Sequence, residues 1–210
     1  MKIKVCGLTD PGNALAVAET EPDYIGFIFY KDSIRFIGEE PDPRLFNCVP
    51  RGAKKVGVFV DEKINKILAS SVTAGLEIVQ LHGNENDKLC SELKSSGLVV
   101  IKSFNIGRDF RFETLINYLP VCDYFLFDTK SEIHGGSGKK FNWSKLEEYT
   151  LDKPFFLSGG IGPDDSGEIE KISNSALYAV DINSRFETVP GIKDASLVKR
   201  FINELKSYDV

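Results

Sequence analysis

One cysteine and one aspartate stand where this chain could carry out acid–base chemistry. Cys6 ends the first apolar run of the sequence, and Asp128 ends the sixth, which reads CDYFLFD. In an eight-stranded α/β barrel both side chains would lie at the carboxyl ends of parallel strands, the rim where such barrels do chemistry. A thiol facing a carboxyl group indicates a base paired with an acid, and hence proton transfer without a cofactor.

Both residues also have structural interpretations. Free cysteines are among the most buried residues in proteins, and a cysteine base needs a cationic or helix-terminal neighbour that favours the thiolate. Asp128 could simply cap a loop. The position of Cys6 at a strand end, directly before Gly7, favours the catalytic interpretation.

A glycine-rich segment in the last third of the chain predicts a phosphate site. Residues 158–163 read SGGIGP and include Gly159 and Gly160. Glycines let backbone N–H groups approach an anion closely, and the loops after strands seven and eight form the common phosphate site of these barrels. The loop after strand eight adds Asn183, Ser184 and Arg185. An ordinary glycine-rich turn is the alternative.

Three further residues are candidates for contact with a substrate. Arg35 follows the second run and could bind an anionic group or be a surface charge. Gln80 and His82 lie at the end of the fourth run, where a histidine is more often a hydrogen-bonded structural residue than a catalyst. Residues 131–140 (SEIHGGSGKK) fail the P-loop pattern, so we expect a lid with glycine hinges or a plain surface loop.

Eight strand-like runs, most of them followed by a helix-like stretch, would position these residues. The runs are 2–6, 24–29, 55–60, 77–81, 98–103, 123–127, 154–157 and 177–182. Most are continuously apolar, as is typical of parallel strands buried on both faces. We therefore predict an α/β chain forming a single-domain (β/α)8 TIM barrel over residues 1–210, with an open doubly wound sheet as the alternative.

Residues that favour helix starts and ends lie between these runs. One helix is predicted to start at Pro11 after Asp10, and another after Pro163. Further helices are predicted over residues 63–69 after Asp61, 86–95 with Gly97 beyond the end, and 195–205 after Asp194. Residues 112–118 and 143–149 are further helix candidates. Prolines at 41, 43 and 50 leave room for only a short helix after strand two.

Composition excludes several classes of function. The 210 residues carry a net charge of −5 without a basic stripe, which disfavours a nucleic-acid partner. The apolar runs are shorter than the ~18 residues that span a membrane, and the first strand leaves no room for a signal peptide, so we expect a cytoplasmic protein. The four cysteines (Cys6, Cys48, Cys90 and Cys122) form no C-x-x-C pair, so we expect free thiols and no metal site.

Eight segments taken together resemble one family, the N-(5′-phosphoribosyl)anthranilate isomerases of tryptophan biosynthesis. In chain order they are KVCGLT (4–9), GFIFYKDSIRFI (26–37), VGVFVDE (56–62), VQLHGNE (79–85), FLFDTK (125–130), GGSGKKFNW (135–143), LSGGIGPDD (157–165) and DINSRFETVPGIKD (181–194). Each segment is modest evidence, whereas eight in family order are highly specific. The resemblance covers essentially the whole chain.

The resemblance implies a (β/α)8 barrel that catalyses an Amadori rearrangement of an aminoaldose to an aminoketose. It makes Cys6 the general base, Asp128 the general acid and Arg35 a substrate contact. Gly159, Gly160, Asn183 and Ser184 match the phosphate-binding loops of the family. The iminium intermediate is its own electron sink, so no cofactor is expected. The expected partner is a small phosphoribosyl substrate, with the chain a monomer or a homodimer.

Two expectations follow from that chemistry. Asp128 must begin protonated and Cys6 must become a thiolate, so their pKa values should be displaced in opposite directions. The family commonly has glycine where this chain has Arg185, which would obstruct the loop if the backbone there needed a positive φ. We expect the arginine to be tolerated, since the flanking polar residues are retained.

Other functions compete with this interpretation. The related isomerase of histidine biosynthesis uses an aspartate where this chain has Cys6, and a metal-dependent epimerase would need more carboxylate and histidine ligands at strand ends. A barrel that binds a phosphometabolite without turning it over is the non-enzymatic alternative. Arg185 supports it, while Cys6 and Asp128 oppose it.

Overall fold

The structure, a computed structural model, describes residues 1–129 and 142–207. Within these ranges eight parallel strands, each bonded to the next along the chain, close into a barrel. They are β1 (Lys2–Cys6), β2 (Tyr24–Ile28), β3 (Lys54–Phe59), β4 (Ile78–Leu81), β5 (Val99–Ile106), β6 (Tyr124–Thr129), β7 (Phe155–Leu157) and β8 (Leu177–Ile182). The predicted (β/α)8 barrel is confirmed, and the pairing of β8 with β1 excludes the open sheet.

Strands β1 and β8 have the predicted bounds, and most other strand ends differ by one residue. The exceptions are the carboxyl ends of β5 and β6, which both extend further than the apolar runs. They extend because Asn105 pairs with Asp128 and Ile106 with Thr129. Asp128 therefore lies within a paired strand, one residue before its end, and its backbone is held by the sheet.

Six α-helices alternate with the strands. They are α1 (Pro11–Ala18), α2 (Arg44–Asn47), α3 (Ile64–Ala74), α4 (Asp87–Ser95), α5 (Ser166–Glu170) and α6 (Ala195–Ser207), in the described part of the chain. The candidates Phe112–Tyr118 and Trp143–Glu148 are 3-10 helices, and Ser184–Phe186 is a third. Among these described elements, no helix is long and apolar enough to cross a membrane.

The helix caps test the predicted starts. Asp10 and Asn86 cap α1 and α4 through bonds from backbone N–H groups three residues on. The prediction that Asp61 starts α3 is wrong, because Lys63 occupies the N-cap position. Asp61 instead adopts a φ of 49° and accepts a 2.6 Å bond from the Asn84 N–H, which joins the loops after β3 and β4.

The barrel interior has an apolar lower part and a polar upper part. Seven buried residues fill the lower part: Tyr24, Val56, Ile78, Ile101, Leu126, Phe156 and Ala179. Side chains alternate along a strand, so the residue two positions later points inward again, nearer the rim. On five strands that residue is polar: Gln80, Ser103, Asp128, Ser158 and Asp181. The rim of the barrel thus stands on a layer of polar side chains.

A small hairpin after β8 completes the rim. Strand β9 (Glu187–Val189) pairs antiparallel with β10 (Ile192–Lys193). The hairpin is fastened to α1, because the Asn13 amide donates to the Lys193 carbonyl at 2.8 Å and accepts from the Lys193 N–H at 2.8 Å. This attachment directs the Glu187 and Lys193 side chains toward the carboxyl end of β1.

Candidate active site

Cys6 is buried at the end of β1, with 4% of its surface exposed. Its register partner on β2 is Gly26, where a Cβ would lie 2.8 Å from the Cys6 sulfur. The next residue, Gly7, has a φ of 82°, and a Cβ there would lie 2.7 Å from the Arg35 side chain and 2.8 Å from that of Asn183. Two glycines therefore make the space in which the thiol, Arg35 and Asn183 meet.

Charges surround the Cys6 thiol. Burial raises its pKa, while the cationic side chains of Lys4 and Lys193 act to lower it, and Asp181 acts to raise it. The cationic neighbours that a cysteine base requires are present. Burial nevertheless dominates, so the pKa of Cys6 lies above its usual value, which is opposite to the displacement that we expected for a base.

Asp128 is held by a backbone N–H group and remains partly open. Its Oδ1 accepts a 2.7 Å bond from the Thr129 N–H, and its Oδ2 lies 3.3 Å from Nε2 of His82. The Gln80 amide nitrogen lies 2.8 Å from Nδ1 of His82. The two ring nitrogens of His82 therefore face Gln80 on one side and the Asp128 carboxyl group on the other.

His82 therefore has the hydrogen bonds of a structural histidine and also contacts the candidate acid. Below it, two polar atoms in the described part of the structure are buried without a hydrogen-bond partner, Oε1 of Gln80 and Oγ of Ser103. Gln80 and Ser103 lie on β4 and β5, in the polar layer. Buried polar groups are normally satisfied, so these atoms mark a place where a polar ligand atom would be accepted.

Arg35 is buried rather than displayed on the surface. Its Nε and Nη2 donate to the two carboxylate oxygens of Glu187 at 2.8 and 2.7 Å. Glu187 also accepts bonds from the Lys193 ammonium and the Gly191 N–H. Burial raises the pKa of Glu187, but the bonds from Arg35 and Lys193 outweigh it and hold the pKa below its usual value. Nη1 of Arg35 has no hydrogen-bond partner among the described residues.

The predicted phosphate residues lie on two adjacent loops of the same rim. Gly159 and Gly160 have φ values of 90° and 70°. A Cβ on Gly159 would clash with Thr129 and lie 2.7 Å from Oδ1 of Asp128. On the β8 side, Oδ1 of Asn183 accepts a 2.8 Å bond from the Lys193 ammonium. The glycine loop thus passes directly beside the candidate acid.

Ser184 and Arg185 lie in the short 3-10 helix after β8. The positive-φ residues other than glycine in the described ranges are Glu21 and Asp61. The backbone at Arg185 therefore does not need glycine, as we expected. The exposed Arg185 side chain lies over the glycine loop, with Nε 3.2 Å from the place of a Cβ on Gly162.

Comparison with known proteins identifies the family. The sequence model of the N-(5′-phosphoribosyl)anthranilate (PRA) isomerase family matches residues 3–204. The N-(5′-phosphoribosyl)anthranilate isomerase of Phocaeicola vulgatus is 41% identical over 206 residues, which cover 98% of each chain. The chain belongs to the PRA isomerase family.

Solved structures of PRA isomerases have the same fold as this chain. One holds reduced 1-(o-carboxyphenylamino)-1-deoxyribulose 5-phosphate, with a TM-score of 0.83, 31% identity and 99% of each chain covered. Another, of generated monomers of the dimeric enzyme from Thermotoga maritima, has a TM-score of 0.83, 32% identity and the same coverage. Membership of the PRA isomerase family excludes the isomerase of histidine biosynthesis and the metal-dependent epimerase.

Sequence reasoning did not find the buried lysines of this PRA isomerase site. In the sequence, Lys4 belongs to an apolar strand and Lys193 to a family segment, and neither pattern marks the residue as part of a site. The available signal was alternation, because Lys4 lies two residues before Cys6 and so shares its inward face. The predicted lid, residues 131–140, lies outside the described residues, as does part of the segment 135–143.

Proposed function

We propose that this chain converts N-(5′-phosphoribosyl)anthranilate to 1-(2-carboxyphenylamino)-1-deoxyribulose 5-phosphate by an Amadori rearrangement, with Asp128 as acid and Cys6 as base. The observation that carries the proposal is that a family match over residues 3–204 coincides with a thiol and a carboxyl group pointing inward at one rim. Asp181 lies between the two groups in charge, because it accepts a bond from Lys4 and the charge of Asp128 raises its pKa.

The reaction moves protons and leaves the atom count unchanged. Asp128 gives a proton to the ribose ring oxygen, the C1–O bond breaks, and the nitrogen lone pair forms an iminium group with C1. Cys6 removes the proton from C2, and that electron pair neutralises the iminium group and leaves an enolamine. The enolamine gains a proton at C1 and loses the proton of its C2 hydroxyl group, which gives the ketone.

The surroundings of each group fit its proposed role. Asp128 is 20% exposed in its side chain, so it can reach a ring oxygen above the rim. Cys6 is almost fully buried, so removal of its proton depends on nearby cations. Lys4 and Lys193 both act in that direction.

The substrate contacts are assigned by charge and by open bonding positions. We place the anthranilate carboxylate near Nη1 of Arg35, since Glu187 occupies the other side of the guanidinium group. Gln80 and His82 would meet the ribose hydroxyl groups, where Oε1 of Gln80 still lacks a partner. These contacts account for orientation of the substrate above the polar layer.

The phosphate would lie between the two loops that follow β7 and β8. Gly159 and Gly160 have positive φ values that turn backbone N–H groups out of the usual direction. Asn183 and Ser184 face them from the neighbouring loop, and Arg185 adds a positive charge beside Gly162. Because a relative is described as dimeric, a homodimer is one expected state of this chain, and a monomer is the other.

The test is an isomerase assay on phosphoribosylanthranilate made in situ, followed by loss of its fluorescence. Cys6→Ala and Asp128→Asn should each lower kcat by at least ~10², while KM changes little because neither residue is needed to hold the phosphate. Cys48→Ala is the matched control, since Cys48 is a partly buried free thiol whose sulfur donates to the Leu45 carbonyl. Its kcat should equal that of the unmodified chain.

Two results would contradict the proposal. Turnover that survives Cys6→Ala would keep the reaction and remove Cys6 as its base. Absence of turnover in the unmodified chain, with the substrate still bound in equilibrium dialysis, would favour a binding protein.

A further inference from the structure

A buried ion pair lies directly under the proposed base. Lys4 is 0% exposed, and its Nζ donates to Oδ1 of Asp181 at 2.9 Å. The two residues are register partners on β1 and β8. Lys4 lies two residues before Cys6 on β1, so both buried side chains point into the barrel, and the charge of the ammonium group acts on the Cys6 thiol.

Stability alone does not account for this pair. The layer beneath it is apolar, and a buried ion pair often stabilises a fold no more than apolar residues of similar volume would. The pair also contacts the candidate phosphate loop, because Oδ2 of Asp181 accepts a 3.4 Å bond from the hydroxyl group of Ser158, which directly precedes Gly159. A buried ion pair whose ammonium group lies on the same inward face of β1 as the thiol indicates a role toward that thiol.

We propose that Lys4 and Asp181 are positioning residues that set how readily Cys6 loses its proton, with Lys4 stabilising the thiolate and Asp181 moderating that effect. The proposal rests on the proposed function in one respect, the assignment of Cys6 as base. It extends that function by naming the groups that offset the effect of burial on the thiol.

The charge on Lys4 is secure. Burial lowers its pKa, but the charges of Asp181 and Cys6 outweigh this, and the pKa lies above its usual value. The ammonium group thus remains charged beside the sulfur. An opposite charge within about 4–6 Å displaces a pKa by about 1–3 units.

Other charges face the same thiol and must be held constant in any test. Lys193 reaches Cys6 from the hairpin and is itself paired with Glu187. Arg35 lies beside Gly7. Across the barrel, Asp128 and His82 act on Asp181. Substitutions at Lys4 and Asp181 leave all of these groups in place.

The experiment measures the ionisation of Cys6 from the ultraviolet absorbance of its thiolate as pH is raised, with Cys6→Ser as the reference to be subtracted. Lys4→Met should raise the pKa of Cys6 by about 1–3 units. Asp181→Asn should lower it, because Lys4 then loses its carboxylate partner and its charge is no longer offset beside the thiolate. A purely structural pair predicts no shift, or shifts of the same sign, and either result would overturn the proposal.

A second variant keeps the test decisive if Lys4→Met does not fold. Lys4→Met combined with Asp181→Leu removes both charges and leaves no unpaired ion. Its Cys6 pKa should still lie above that of the unmodified chain, since Lys4 affects the thiol more strongly than Asp181 does. An unchanged pKa in a folded double variant would overturn the proposal.

Activity separates this proposal from the proposed function. Lys4→Met should lower kcat at least tenfold at neutral pH and displace the limb of the pH profile that belongs to Cys6, with KM nearly constant. If Cys6→Ala keeps its turnover, the base assignment fails whatever the titration gives. If Cys6→Ala is inactive and the titration shows no opposite shifts, the inference about Lys4 and Asp181 fails alone.

Discussion

On the β1 side of the rim, Cys6 is 4% exposed and is surrounded by the buried charges of Lys4, Asp181 and Lys193. On the β6 side, the Asp128 side chain is 20% exposed, accepts a hydrogen bond from the Thr129 N–H and lies 3.3 Å from His82. The difference follows from the proposed roles. A thiolate that forms inside a protein needs opposite charges nearby. An acid that protonates the ring oxygen of a substrate must instead remain accessible.

Because Cys6 is buried and Asp128 is partly exposed, the β1 side of the rim should tolerate less change in shape than the β6 side. Gly26→Ala places a Cβ 2.8 Å from the Cys6 sulfur and 3.2 Å from the Cys6 Cα, on a neighbouring strand that cannot move away. Displacement of a reacting group by about 1 Å can cost about 10² in rate. We expect a fall of this size in kcat, measured with the fluorescence assay.

Gly52→Ala is the control for that change. A Cβ on Gly52 meets no described atom within 4 Å, so the variant should keep the full rate. Equal rates for Gly26→Ala and Gly52→Ala would show that the rate does not depend on close packing around the Cys6 thiol.

The strands that carry Cys6 and Asp128 could be predicted from the sequence, but the ion pairs around Cys6 could not. Continuous apolar runs end at Cys6 and Asp128, and their order along the chain is the order of the barrel. Lys4 and Asp181 lie 177 positions apart in the sequence. They meet only because the barrel closes, and closure is not a local property of the sequence.

Arg35 shows the same limit from the other direction. Its residue type predicted contact with an anion, and the structure supplies one inside the protein, the Glu187 carboxylate. The partner belongs to the hairpin after β8, 152 positions away. The prediction that Asp61 starts α3 was wrong for the same reason. Its carboxylate instead accepts a bond from the Asn84 N–H, which belongs to another loop.

The Glu187 cluster beside Cys6 predicts a specific dependence on pH. Its lowered pKa means that the Glu187 carboxylate stabilises the fold above its ordinary value of 4.5, and that this stabilisation is lost as pH falls through the lower folded-state value. Glu187→Gln should therefore lower the free energy of unfolding by about 2 kcal/mol at neutral pH. The difference should shrink on acidification toward roughly pH 4 and below.

Urea unfolding at several pH values measures this difference. Glu39→Gln is the control, because the Glu39 side chain is 67% exposed and lies 3.8 Å from Lys66. It should change the unfolding free energy by less than ~0.5 kcal/mol. A Glu187→Gln deficit that stays constant with pH would mean that shape, and not charge, accounts for the role of this residue.

On the Asp128 side, a smaller effect is expected, which acts through the contact with His82. His82→Asn removes the ring nitrogen that lies 3.3 Å from Oδ2 of Asp128. A polar contact of this kind contributes about 0.5–1.5 kcal/mol. We therefore expect kcat to fall about tenfold, which corresponds to roughly 1.4 kcal/mol, with KM nearly unchanged.

A double-mutant cycle shows whether His82 acts through Asp128. In the Asp128→Asn background, His82→Asn should lower the remaining rate by less than about twofold, because the group on which it acts is already gone. The limb of the pH profile that belongs to Asp128 should also move in the single variant. Full additivity in the cycle would mean that His82 affects the rate only through its proposed contact with the substrate, and the acid would then be positioned by Thr129 and its strand alone.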